Sequence, residues 1–268
     1  MANLYGVWAK WERAVEQLKA LDGEILAFGK EPHAWTIVSH VNRERGHYVF
    51  RLDPAWKPRT IMRWGAIIGE IVHDFRSGLD QLVWQLVRLN GGSPDNGSFF
   101  PICAKEPEGG FVQTRRQWTD KRNRVRHGPL FGISDDALAC IEACQPYKTN
   151  ELVLLRLHDL WNTDKHRHLA PMHMIAERPN LRLTNAVVVD RVLDRFDGNT
   201  YVVEVTIIAS DPGLDAHVDV DPHTPTDVAF SEGVPVIEGL QAVGKSIIHR
   251  ILIPVGELFP DELGVGLP

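Results

Sequence analysis

Leu4, Val7, Trp8, Trp11, Val15, Leu18, Leu21, Ile25 and Phe28 recur at the spacing that gathers side chains on one face of an α-helix, so the chain is predicted to open with a long helix. The rhythm then changes. In HAWTIVSHVNRERGHYVFRLD, β-branched and aromatic residues flank the polar run Asn42 to Gly46, which is the pattern of a β-hairpin. Pro54 and Pro58 punctuate the chain before a second helix from about Ile61 to Leu89, closed by Asn90-Gly91-Gly92. Residues 91–133 are loop-rich. Ser134, with Asp135 and Asp136 behind it, marks the start of a third helix that ends before Pro146, because carboxylates in a first turn complement the helix dipole. A fourth helix is expected from about Glu151 to His168, stopping short of Pro171.

The character changes after Pro179. Leu181 to Asp190, Tyr201 to Ile208 and His217 to Val220 are rich in Val and Ile and are separated by turn signals at Asp197-Gly198-Asn199 and Asp211-Pro212-Gly213, as in a small antiparallel sheet. Ile237, Leu240, Val243, Ile247, Ile248 and Ile251 return to helical spacing and predict a terminal helix over 235–253. Val243-Gly244-Lys245-Ser246 holds the last letters of a phosphate-binding loop but lacks its upstream glycine and strand. The expected architecture is α+β in two domains: a mainly helical bundle with a small hairpin over 1–178, then a β-rich antiparallel segment with the terminal helix over 179–268.

At 268 residues, 44% of them apolar and 24% charged, the chain can bury a substantial core. No run approaches the roughly 20 apolar residues of a membrane span, and the start is amphipathic, so the protein is expected in the cytoplasm and away from membranes. Three cysteines in so long a chain argue against a disulfide framework, and Cys140 and Cys144, one helical turn apart, are expected to pack as small apolar residues. The net charge of −6 conceals a basic island. Between Arg115 and His127 lie Arg115, Arg116, Lys121, Arg122, Arg124 and Arg126 against the single Asp120, whereas the chain beyond residue 210 is predominantly acidic. Such an island can grip phosphates, with Trp118 available to stack on a base, or it can be a solvated surface loop.

The candidate chemistry lies on two polar stripes. On the second helix Ile68, Ile71, Val72, Phe75, Leu79, Leu82 and Leu86 form an apolar face, Glu70, His73, Asp74, Ser77, Asp80, Gln81 and Gln85 form the other, and Arg76 falls on the seam. His73, Arg76 and Asp80 are spaced to project toward one groove. On the fourth helix His158, Asn162 and His166 align in a row flanked by Asp159 and Lys165. A single Glu70-x-x-His73 pair cannot fill a dimetal site, and no metal or cofactor is expected. A histidine hydrolase lacks a recognisable nucleophile elbow. RNA cleavage needs a histidine acid or base and an arginine on the phosphate, which makes His73, Arg76, Asp80, Asn162 and His166 the candidate catalytic set. The competing reading is structural: Arg76 buried against Asp80, or against Asp164 across helices, as a packing element.

The stretch IGEIVHDFRSGLDQLVWQLVRLNGG, followed by FFPI, QPY and LHDLWNTDKHR, resembles a group of uncharacterised bacterial proteins with an LRSALDHL-type helix and a downstream N-x-DKHR segment. Its Arg-x4-His spacing is in turn similar to the motif of HEPN-domain ribonucleases. That resemblance implies a helical bundle, a homodimer, RNA as partner, and a place in toxin or defence systems. Position 81 is Gln where the motif has His, and an amide cannot exchange a proton, so the resemblance implies a catalytically degenerate site. The alternative is a non-catalytic scaffold or small-ligand-binding protein whose polar stripes are structural.

Overall fold

The computed structural model describes residues 2–31, 35–42, 47–54, 58–167, 172–176, 181–197, 200–211, 217–220, 226–230 and 234–259. Helix α1 (Tyr5–Gly29) leads to the hairpin β1 (Trp35–Asn42) and β2 (His47–Pro54), and then to α2 (Pro58–Leu89). A 3₁₀ turn (Phe111–Arg115) precedes a second, short hairpin, β3 (Gln117–Thr119) and β4 (Val125–His127). Helices α3 (Asp135–Ala143), α4 (Pro146–Thr149) and α5 (Val153–Arg167) follow, then strands β5 (Met172–Ala176), β6 (Leu181–Thr184), β7 (Ala186–Asp197), β8 (Thr200–Ala209), β9 (His217–Val220) and β10 (Thr226–Phe230). The described chain closes with α6 (Val236–Ile247), a π-helical turn (Ile248–Leu252) and α7 (Ile253–Gly256). The protein is therefore α+β, with antiparallel sheets and a terminal helix.

Local chemistry accounts for most of these elements. Ser134 caps α3 by accepting a hydrogen bond from the Ala137 N–H at 3.2 Å. The short α4 is set by Pro146 in its first turn and ends at Asn150, whose φ of 57° lies in the left-handed region that Asn tolerates. The π-helical turn ends two residues before Pro254, which has no N–H to continue an α-helical ladder. Gly244 is part of α6, not of a phosphate loop. A Cβ there would come 3.1 Å from the Phe75 ring, and its carbonyl accepts from the Trp11 indole at 3.1 Å.

The chain divides into two compact units, each assembled from separate stretches of sequence. One comprises 1–18, 66–170 and 238–268, and the other 19–65 and 171–237. The expected single boundary near 178 is not how the contacts group. In the second unit the four-stranded sheet runs β1-β2-β8-β7, so the early hairpin is completed by a strand some 150 residues later, with Tyr48 opposite Val205 and Phe50 opposite Val203. Strands β5 and β10, which the sequence pattern did not announce, pair with each other, as do β6 and β9. Val205 and Ile207 are buried while Ile208 is exposed, the alternation of a half-buried strand. The first unit builds its core from Ile68, Ile71, Phe75, Leu79 and Leu82 of α2 with Leu4 and Val7 of α1, Leu157 of α5 and Leu240 and Val243 of α6.

Candidate nucleic-acid interface and the polar stripes

The polar face of α2 is covered along much of its length by α1. Gln17 donates to Glu70 Oε2 at 2.7 Å, and Arg13 Nε lies 3.3 Å from Asp74 Oδ2. Lys10 donates to Ser77 Oγ at 2.9 Å, and Gln85 Oε1 accepts from the Asn3 N–H at 3.2 Å. Each turn along α1 is matched by a turn back along α2, as two antiparallel helices require. Gln81 belongs to this ladder. It packs on Gly6 so closely that a Cβ there would clash with the Gln81 amide, so this side chain is turned toward the first turn of α1.

Arg76 and Asp80 have a different partner. The Arg76 side chain is only 7% exposed, and its Nη2 donates to the Phe100 carbonyl at 2.6 Å and lies 3.0 Å from Asp80 Oδ1. The same Asp80 oxygen accepts from the Phe100 N–H at 2.9 Å, so one residue's backbone is held at both polar groups. Trp84 adds a third tie one turn along by donating its indole N–H to the Ser98 carbonyl at 3.1 Å. From the other side Gln145, fully buried between α3 and α4, accepts from the Cys103 N–H at 2.9 Å and donates to the carbonyls of Pro101 and Ile141, both at 3.0 Å. The FFPI segment is thus held by α2 on one side and by the α3–α4 junction on the other. Burial lowers the Arg76 pKa against the opposing field of Asp80, yet a guanidinium stays protonated in any protein setting. Burial also raises Asp80, with Arg76, the Phe100 N–H and His73 acting against it.

The expected convergence of His73, Arg76 and Asp80 is partial. Arg76 and Asp80 meet, whereas His73 is exposed and its ring lies 5.2 Å from that of Trp161 on α5, an aromatic contact that sets α2 beside α5. Glu70 meets α1 and His73 meets α5, so the Glu-x-x-His pair is split between neighbours, and among the described residues no group of His, Cys, Asp and Glu could hold a metal ion. Asn162 is exposed on α5 and His158 is half-buried. The backbone of His166 continues α5, but its side chain, with those of Asp164, Lys165 and Arg167, lies outside the described residues. Cys144 is buried, and burial pushes its thiol up to about 12 while its S–H donates to the Ile141 carbonyl at 3.0 Å, the behaviour of a packed, unreactive thiol.

The basic segment forms the β3–β4 hairpin. Its ladder is extended at the base by Gly128 N–H to the Arg116 carbonyl at 2.8 Å and at the tip by Asp120 N–H to the Arg124 carbonyl at 2.9 Å. Because side chains alternate across a strand, Arg116, Trp118 and Asp120 share one face with Arg124 and Arg126, and Trp118 stands opposite Arg126. Asp120 organises the tip. Its Oδ1 accepts from the N–H groups of Arg122 and Arg124 at 2.9 and 3.0 Å, and its Oδ2 accepts from Nε of Arg124 and of Arg126 at 2.9 and 3.1 Å. These donors, the Arg124 N–H foremost, push its carboxyl down to about 2, so it is ionised throughout the neutral range. Arg115 is engaged at the hairpin base by Asp135 at 2.7 Å and by the Ile133 carbonyl at 3.3 Å. Arg116, Lys121 and Arg122 are exposed and make no ion pair with the described residues. Trp118 is 45% exposed in their midst.

No family model, curated protein or solved structure matches this chain. The functional reading therefore rests on its own residues. Sequence reasoning quoted Gln145 within QPY and Phe100 within FFPI but did not foresee that Gln145 ties the two segments together, and it missed that Asp120, the lone acid among six cations, is what shapes the hairpin.

The hairpin also depends on Gly128. A Cβ there would lie 2.6 Å from the Thr114 carbonyl carbon and closer still to its oxygen, backbone atoms that cannot swing aside. Gly128→Ala is expected to destabilise the protein by about 1–3 kcal/mol, as overpacking does. Urea denaturation should show it, and Gly6→Ala, whose nearest neighbours are the end atoms of the flexible Gln81 side chain, should cost less; equal losses would mean that the close approach at Gly128 is not what constrains this turn.

Proposed function

We propose that this protein is an RNA-binding module whose contact surface is the β3–β4 hairpin, and that the polar stripe of α2 is structural. The observation that carries the reading is the exposed Trp118 flanked by Arg116, Lys121, Arg122, Arg124 and Arg126 on an otherwise acidic chain. Cations supply affinity for phosphate by releasing counterions, and an indole supplies a face for a base. The occupancy of Arg76 by Phe100 and Asp80, and of Gln81 by Gly6, supports a role for these residues in packing and not in phosphate chemistry. A HEPN-like origin of the helical part, with its catalytic pair recruited to hold the fold, is consistent with this reading and remains part of the proposal.

The test is fluorescence anisotropy with labelled RNA across a salt series. Three phosphate contacts, by Arg116, Lys121 and Arg122, should give a slope of log K against log salt of about −2 for a single strand, and each substitution to Ala should reduce that slope by roughly 0.7. The RNA should be recovered uncut. Binding that is absent in low salt, or that is indifferent to all three substitutions, would remove the hairpin as an RNA surface and leave the non-catalytic scaffold.

A further inference from the structure

We propose that the hairpin selects unpaired over duplex RNA, with Trp118 taking a base by stacking and Arg116, Lys121 and Arg122 meeting the phosphates of the same strand. The inference deepens the reading above and rests on it.

Two observations carry it. The first is the placement of the indole. Trp118 shares a face of the hairpin with Arg116, Arg124 and Arg126, and Arg124 and Arg126 are already drawn in by Asp120, so the ring stands beside two guanidinium groups held in place, with Arg116 on its other side. A base inside a duplex has both faces covered by its neighbours and cannot stack on a protein ring without being extruded, whereas an unpaired base offers its face freely.

The second is the size and surroundings of the basic patch. Each strand of the hairpin is three residues long, and Asp135, 89% exposed at its base, forms an ion pair with Arg115. Asp136 is exposed beside it, and the chain as a whole carries −6. A duplex is a stiff rod that would lay phosphates along the acidic flank as well as on the hairpin. A single strand bends within a few nucleotides and can touch the cations alone, so the same charge distribution that penalises the rod admits the flexible chain.

The experiment compares a twelve-nucleotide uridine-rich RNA with a duplex of the same strand, using the whole chain and the variants Trp118→Leu, Trp118→Phe and Val125→Ala. Leucine keeps apolar bulk in the strand but has no π-face, phenylalanine keeps a face, and Val125 is exposed on the opposite side of the hairpin as the control. The expected result is at least tenfold tighter binding of the single strand by the wild type, a loss of about tenfold in Trp118→Leu, and near wild-type affinity in Trp118→Phe and Val125→Ala. Equal affinity for the two RNAs, or a Trp118→Leu variant that binds the single strand as well as the wild type, would overturn the inference while leaving RNA binding by charge intact. Failure to bind either RNA would take both readings down together.

Discussion

Replacing Arg76 with methionine is expected to lower the melting midpoint by about 6–12 °C, the shift that a loss of about 3 kcal/mol produces in a chain of this size. Methionine fills much of the volume but leaves the Phe100 carbonyl without its donor and Asp80 without its counter-charge. Asp80→Asn should cost a comparable amount for the converse reason. The amide still accepts from the Phe100 N–H, but the buried guanidinium is left without an opposing charge. Since each loss consists largely of stranding the other partner, the double variant should be at least about 1 kcal/mol more stable than the sum of the two single losses implies. Urea and thermal denaturation of the three variants measure this coupling. Strict additivity would mean that the two side chains do not act as a pair. An Arg76→Met protein that melts like the wild type but loses an RNA-processing activity would return Arg76 to the catalytic set.

Gln145→Glu is expected to be still more damaging at neutral pH, because it puts a carboxylate where an amide N–H₂ now donates to two carbonyl oxygens. The loss should exceed the roughly 2–4 kcal/mol of Gln145→Ala, which strands the Cys103 N–H and the Pro101 carbonyl but introduces no charge. The two variants separate by pH. A carboxyl in this fully buried position has its folded pKa raised above the unfolded value of about 4.3, so its neutral form is the one the fold accepts. The penalty is therefore absent below about pH 4, grows as pH rises, and is complete above the folded pKa. Melting curves at pH 4.5 and 7.5, each referred to the wild type, should show the Gln145→Glu deficit shrinking at the lower pH and the Gln145→Ala deficit unchanged. A Gln145→Glu deficit independent of pH would mean that water reaches the site or that the FFPI segment has moved away.

Several features of the protein follow from local sequence. The period of Leu4 to Phe28 fixes α1, the Ser134 hydroxyl fixes the start of α3, and the β-branched and aromatic residues of 35–42 and 47–54 give β1 and β2, the polar run of 43–46 between them lying outside the described residues. Helical spacing also carried the terminal helix, except that Pro254 inserts a π-helical turn before its end. The basic character of 115–127 and the polar stripe of the second helix are legible without coordinates.

The partner that each polar group meets is set by packing and not by local sequence. A helical wheel gives the direction of Glu70, Asp74, Ser77 and Gln81 but not the neighbour in that direction, and the neighbour is α1. Arg76 is spent on a backbone carbonyl 24 residues away, and Gln145 on a backbone N–H 42 residues away. Every residue but proline carries the same peptide N–H, and every residue the same carbonyl, so a partner of that kind leaves no mark in the sequence. The hairpin divides along the same line. Its cations are written in the chain, whereas their division between those held by Asp120 and those facing solvent arises from the folded turn, because a carboxylate chooses among six nearby cations by geometry and not by composition.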